Sequence, residues 1–226
     1  MDRTQSQEYN VLMVSAIVQK RAFPIFWTLL DKHGASKKVQ QQQVLRPVIR
    51  MLKRYKLVMV GSREFHSIEL ARLHSQHLSF VLRQKCNTIF REKRQLFQSL
   101  DTIPIQPGIR LLYQKNSLTK KQGFARFNLA AYCQKKYRGK QEDEPWYLLR
   151  NLPSLKSALV VYRQRYGIEP MFKDCKTGGY NLEGCQASPD KLIYLMILIV
   201  LAMTSAWLRG KRTQLQAQEK YVCRPQ

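Results

Sequence analysis

An α/β domain is the fold class that this sequence predicts, and three observations carry the prediction. Two apolar stretches rich in branched and aromatic side chains stand next to each other in residues 10–30. A helix-spaced apolar pattern follows them, and then comes a short apolar run, KLVMVG, at residues 56–61. Strand, helix and strand in succession is the rhythm of a sheet with helices packed on its faces. At 226 residues and 44% hydrophobic content, the chain is long enough for one well-buried domain and a tail.

Residues 10–30 (NVLMVSAIVQKRAFPIFWTLL) read as a hairpin, because the polar Gln19, Lys20 and Arg21 divide two runs whose apolar character is almost continuous. Such runs belong to a sheet covered on both faces. Pro24 has no amide hydrogen to give a ladder, so the second strand is expected at an edge or with an irregularity. Gly34 and Ser36 are expected to end this element and cap the next. Val39, Val44, Leu45, Val48, Ile49 and Leu52 then recur at helical spacing, with Pro47 expected to kink the helix and leaving its continuity past Arg46 open.

After the strand KLVMVG, SREFHSIELARL reads as a turn opening a helix. From Leu78 to Tyr137 short strand-like pieces (LSFVLR, IRLLYQ, FARFNLAAYC) alternate with basic turns, the pattern of a β-rich insertion. Glu142, Asp143, Glu144 and Pro145 close it, and Trp146 to Leu149 form another strand. Asn151 to Ser154 is a turn with a capping serine, and the pattern from Leu155 to Lys176 is helical except at Gly167 and Pro170. Gly178 and Gly179 stop it. An uncharged run at residues 192–208 follows, then a polar tail.

Lys and Arg total 39 against 15 Asp and Glu, a formal charge of +24. A compact fold carrying that charge repels itself unless much of it faces a polyanion, for which nucleic acid is the simplest choice and a membrane surface the other. Residues 71–140 hold fifteen of the cations and only two acids, Glu92 and Asp101, so they are the candidate contact surface; a solvated basic loop region is the bland alternative. Five cysteines without a CxxC pair read as reduced thiols of a cytosolic chain. His66, His74 and His77 have no spacing that ties them to a metal. As a helix the run 192–208 reaches about 26 Å, the short limit for crossing a bilayer, so a small membrane protein is the rival class.

Tyr162, Arg165, Glu169 and Lys176 are spaced three, four and seven apart, within about 60° of one another on a helix. One face would then present a carboxylate between two cations and a phenol: cations for DNA phosphates, a carboxylate for a metal. An amphipathic helix with an internal Arg–Glu pair explains two of the four residues equally well.

The segment YRQRYGIEPMFKDCKTGGYNLE, residues 162–183, resembles the Y-R-E-K signature of DDE transposases of bacterial insertion sequences, particularly the insertion sequence 4 family. MDRT at residues 1–4 is similar to the segment that carries that family's first catalytic aspartate, and VGSREFHS at residues 60–67 to the one that carries the second. The resemblance spans nearly all of residues 1–208. It implies a ribonuclease-H-like (retroviral-integrase-like) core of mixed sheet and flanking helices with a β-rich insertion. The corresponding expected boundaries are 1–77 and 142–208 for the two parts of the core, 78–141 for the insertion and 209–226 for the tail.

Carried over by motif, Asp2 and Glu169 are the catalytic and metal-binding carboxylates, and Tyr162, Arg165 and Lys176 bind DNA phosphates. The chemistry implied is metal-dependent phosphoryl transfer, DNA strand cleavage and joining, with two Mg2+ ions. Ser62 stands where the family has its second aspartate, so the chain is expected to be catalytically impaired and Mg2+ binding to be doubtful. With only Met1 before Asp2, an N-terminally truncated, pseudogene-like copy lacking the first core strand is expected. The implied partners are double-stranded DNA at insertion-element ends and a homodimer or an intact transposase, in a bacterial cytoplasm and not in a membrane. A non-catalytic DNA-binding fragment is the alternative function.

Overall fold

The computed structural model of the chain describes residues 1–5, 9–31, 33–92, 95–118, 125–135, 144–182 and 184–216. Strands β1 (Asp2–Gln5), β2 (Asn10–Val18) and β3 (Arg21–Leu30) form an antiparallel sheet in that order. The nitrogen of Met1 donates to the carbonyl of Val60 at 2.9 Å and so joins the head of β1 to β4 (Val58–Gly61). Beyond β4 the second sheet runs β4-β5-β10-β9-β8-β6-β7, with β4 and β5 (Ser79–Arg83) parallel and the other pairs antiparallel. Its remaining strands are β6 (Ile89–Arg91), β7 (Gln98–Ser99), β8 (Arg110–Leu118), β9 (Ala125–Tyr132) and β10 (Trp146–Arg150). The fold is therefore α/β, a mixed sheet with flanking helices.

Alternation along each strand separates the two faces. Leu12 and Val14, Met59, Phe80 and Leu82, Leu129 and Ala131, and Tyr147 and Leu149 point to one side, where they pack with Val44, Leu45 and Val48 of helix α1 (Lys38–Met51) and Leu70 and Ala71 of α2 (Ile68–His74). On the other side Val60, Val81, Ala130, Tyr132 and Leu148 meet Ala158, Leu159 and Tyr162 of α3 (Leu155–Gln164). There too Val11 and Met13 meet Ile168 and Met171 of α4 (Ile168–Lys176) and Leu192 and Met196 of α5 (Pro189–Leu215). Each such aliphatic side chain contributes roughly 1.5–3 kcal/mol by leaving water.

The hairpin turns at Gln19 and Lys20, both at positive φ (50° and 67°). β3 is an edge strand, and its register against β2 slips between Val14 and Ser15, which pair with Phe26 and Pro24. Pro24 thus sits at both the edge and the irregularity expected of it.

Two expectations are corrected, and the open question of the continuity of α1 is answered. A strand does stand at the first position: Asp2–Gln5 pair with Asn10–Met13 and cover that edge of β2. Helix α1 runs unbroken through Pro47, because the carbonyl of Gln43 that loses its partner belongs to an exposed residue while Val44, Leu45 and Val48 anchor both sides. Ser36 does not cap α1; the cap is Lys37, whose amide donates to the Gln40 side chain (2.7 Å), because both the amide and the hydroxyl of Ser36 are turned to Glu64.

Between Gln164 and Ile168 the expected helix tightens into a 3-10 turn over Arg165–Gly167. A Cβ on Gly167 would stand 2.4 Å from the carbonyl oxygen of Lys20, so the hairpin tip rests directly on this turn. Gly167→Ala forces α4 and the hairpin apart and is expected to cost about 1–3 kcal/mol. Urea unfolding of the variant checks this; a midpoint equal to wild type would show that the contact does not matter.

The strands of the basic region 78–141 extend the β4–β5 sheet, and Lys85, Arg110, Arg126 and Lys135 stand exposed on it. Lys93, Arg94, Lys120, Lys121, Lys136, Arg138, Lys140, Glu142, Asp143, Glu183 and the tail with Cys223 lie outside the described residues.

Candidate active site

The carboxylate positions converge because β1 and β4 are neighbours and α4 crosses the β2–β3 hairpin. Asp2 opens β1, and Ser62 follows the last residue of β4. The turn after β4 folds down tightly because residue 61 is glycine: a Cβ there would stand 2.8 Å from Phe65 Cβ and 3.0 Å from Leu82 Cδ2. The hydroxyl of Ser62 lies 3.4 Å from Asp2 Oδ1, an oxygen that also accepts from the Arg3 amide at 3.0 Å. Sequence positions sixty residues apart are thus side by side.

Arg165 completes the cluster. Its Nη1 donates to Asp2 Oδ2 at 2.9 Å and its Nη2 to Glu169 Oε1 at 3.1 Å, so one guanidinium spans both carboxylates. The guanidinium carbon lies 4.9 Å from the centre of the Tyr166 ring and 5.7 Å from that of Tyr162. Arg165 is buried, and burial works against its charge, but Tyr162, Asp2, Glu169 and Tyr166 together outweigh that and hold it above its ordinary pKa. Glu169 is half open to solvent while Asp2 is nearly enclosed.

Tyr162 is fully buried against Trp146, its ring centre 4.9 Å away, and its hydroxyl has no hydrogen-bond partner among the described residues. Lys176, at the end of α4, donates from Nζ to the carbonyl of Gln5. The four residues expected on one helical face therefore divide: Arg165 and Glu169 lie in the cluster, Lys176 ties α4 to β1, and Tyr162 belongs to the core.

A second network lies beside the first and is not legible in the linear pattern. Glu64 Oε2 accepts from Arg3 Nε at 2.7 Å, and Oε1 from the Ser36 amide and hydroxyl at 2.8 and 2.6 Å. Arg3 also reaches Asn10 Oδ1 at 3.1 Å. Glu64 consequently clamps the strand bearing Asp2, the start of α1 and the turn bearing Ser62. The only signal for it in the sequence is an acid two residues beyond Ser62; its partners come from residues 3 and 36.

His66 Nδ1 lies 2.8 Å from the Arg63 carbonyl, and burial, then the charge of Lys85, holds its pKa below the ordinary value. No group of three or more His, Cys, Asp or Glu side chains that could hold a metal occurs among the described residues. A pair of divalent ions needs several ionised oxygens. Asp2 and Glu169 are both engaged by Arg165, Glu64 is engaged by Arg3 and Ser36, and Ser62 is neutral, so the donor set as it stands does not fit such a pair.

The transposase DDE domain family matches this chain over residues 6–205, a stretch that includes Ser62, Arg165, Glu169 and Lys176. A cryo-EM structure of the piggyBac transposase synaptic complex with hairpin DNA is similar, with a TM-score of 0.48 and 14% identity. The similarity covers 92% of this chain and 50% of that one, so the chain spans about half the length of the transposase it matches. No curated protein matches. On the family match, which takes in most of its length, the chain belongs to the transposase DDE domain family.

Proposed function

We infer that this chain is a transposase-derived, DNA-binding domain whose own DNA strand cleavage and joining is impaired. The family acts in DNA transposition by phosphoryl transfer. The observation that carries the inference for this chain is the contact of Ser62, a neutral hydroxyl, with Asp2 at a place where the Y-R-E-K transposases have a second aspartate. On this reading the chain is a member of the insertion sequence 4 group with a ribonuclease-H-like core, and residues 78–141 are its inserted, DNA-facing part. Two Mg2+ ions serve the intact members. The exposed cations of the basic strands meet DNA phosphates; Lys176, Arg165 and Tyr162 do so only by leaving their present contacts.

The partner is double-stranded DNA at insertion-element ends, in the bacterial cytoplasm, with a second copy or an intact transposase alongside. The test is binding and nicking of a duplex carrying the element ends. Affinity is expected to fall at least roughly 30-fold between 50 and 200 mM salt, since each neutralised phosphate releases counterions. Nicking with magnesium is expected to stay at background. Salt-independent binding would remove the DNA reading, and brisk nicking would remove the impairment.

A membrane-anchored protein is the second reading, and α5 is the observation that favours it. By length and composition this helix suffices to cross a membrane, with mean hydropathy 2.0 over its most apolar window. Ile193, Tyr194, Ile197, Leu198, Leu201 and Leu208 are exposed on it. Against that, Leu192, Met196 and Ile199 are buried, and Trp207 packs edge-on against Phe23 at 5.3 Å. Purification in the soluble fraction without detergent decides between them.

A further inference from the structure

We propose that Arg165 is a resident cation, occupying with its guanidinium the position between Asp2 and Glu169 that a divalent ion would need, so that ion and side chain exclude each other. The inference rests on reading Asp2, Ser62 and Glu169 as the remnant of a transposase site, but it concerns metal affinity and not DNA binding.

Both carboxylates spend an oxygen on the same guanidinium, at 2.9 and 3.1 Å. The remaining oxygen of Asp2 accepts from the Arg3 amide and faces the Ser62 hydroxyl. A divalent ion entering here would meet a positive charge that is buried and held by two tyrosine rings. That charge cannot be shed, because arginine stays protonated. Glu64, the carboxylate of the neighbouring network, does not tip the balance, since it is engaged by Ser36 and Arg3. Two negative charges are thus met by one permanent positive charge, and the residual attraction for a dication is small. Replacing Ser62 by aspartate adds a third negative charge beside Asp2 and shifts the competition toward the ion.

The experiment is Mn2+ binding by electron paramagnetic resonance on the full chain, with thermal unfolding in the presence and absence of Mn2+. Wild type is expected to bind no tighter than about 1 mM, the weak end of oxygen-ligand sites, and to show no Mn2+-dependent change in Tm. Arg165→Gln leaves Asp2 and Glu169 unshielded; it is expected to lower Tm without metal, to regain part of the loss with Mn2+, and to bind Mn2+ about tenfold or more tighter than wild type. Ser62→Asp, which keeps the arginine, is expected to bind more tightly than wild type but less tightly than Ser62→Asp combined with Arg165→Gln. Should Arg165→Gln fail to fold, Arg165→Lys, whose single ammonium cannot span both carboxylates, is expected to gain at least about threefold.

Sub-millimolar Mn2+ binding by wild type overturns the proposal. So does an unchanged affinity on removing Arg165 in either background, or no gain in Arg165→Lys. Duplex binding by the same preparations is scored separately: its loss would sink the DNA-binding reading and leave the competition between ion and arginine standing or falling on the Mn2+ data.

Discussion

Replacing Ser62 with aspartate is expected to raise magnesium-dependent nicking of element-end DNA at least about 100-fold over wild type. The hydroxyl it replaces stands 3.4 Å from Asp2 Oδ1, at the start of a turn that Gly61 and Phe65 hold tightly, so the new carboxylate arrives beside Asp2 without rebuilding the backbone. Removing one preorganised group that meets developing charge typically costs about 3–4 kcal/mol in a transition state, and restoring one should return a similar amount. The added charge also has a structural cost, because like charges in a shared site disfavour each other's ionised forms. The variant is therefore expected to be less stable without divalent ions and to recover when they are added. Nicking of a supercoiled plasmid bearing the element ends measures the rate. Equal rates for the two proteins would show that Ser62 is not what limits this chain.

The largest effect on stability is expected from Glu64→Gln. The carboxylate is nearly enclosed and takes three donors at 2.6–2.8 Å from two elements, β1 through Arg3 and the entry to α1 through Ser36. An amide keeps one acceptor oxygen and turns an NH2 group toward the remaining donors. Arg3, with a side chain only 20% exposed, loses its ion-pair partner. Breaking one side of a buried pair typically costs about 3–5 kcal/mol, because the charge left behind stays desolvated. A built-in contrast is Arg63→Ala, which removes the pair with Glu144; both of those side chains are well exposed (53% and 40%), and the expected cost is below about 1 kcal/mol. Urea unfolding of the two variants side by side tests the difference, and similar midpoints would mean that the Arg3–Glu64–Ser36 clamp contributes little.

Several elements were legible in the sequence for a reason that the structure makes plain. Leu12 and Val14 face one layer and Val11 and Met13 the other, so a strand buried on both sides has to be apolar at every position. The hairpin, the strand before Ser62, the serine cap at Ser154 and the end of α4 before Gly178 all follow from local rules of this kind. Pro47 and Ser36 show where local rules gave way. A proline is tolerated when the carbonyl it deprives belongs to an exposed residue, and a capping serine is lost when a buried carboxylate from elsewhere claims its hydroxyl. The helical spacing of Tyr162, Arg165, Glu169 and Lys176 suggested one shared face, whereas a 3-10 turn intervenes and Tyr162 packs in the core against Trp146.

By itself the sequence determined the α/β order of elements, the two apolar faces of the sheet, the basic character of its middle third and the presence of serine rather than aspartate at position 62. Only the tertiary structure decided that Arg165 lies between Asp2 and Glu169 and that Glu64 belongs to Arg3 and Ser36. Periodicity tells which way a side chain points from its own strand or helix. Which charge it then meets depends on strand register and helix placement among segments as many as 163 residues apart, and no local pattern records that distance.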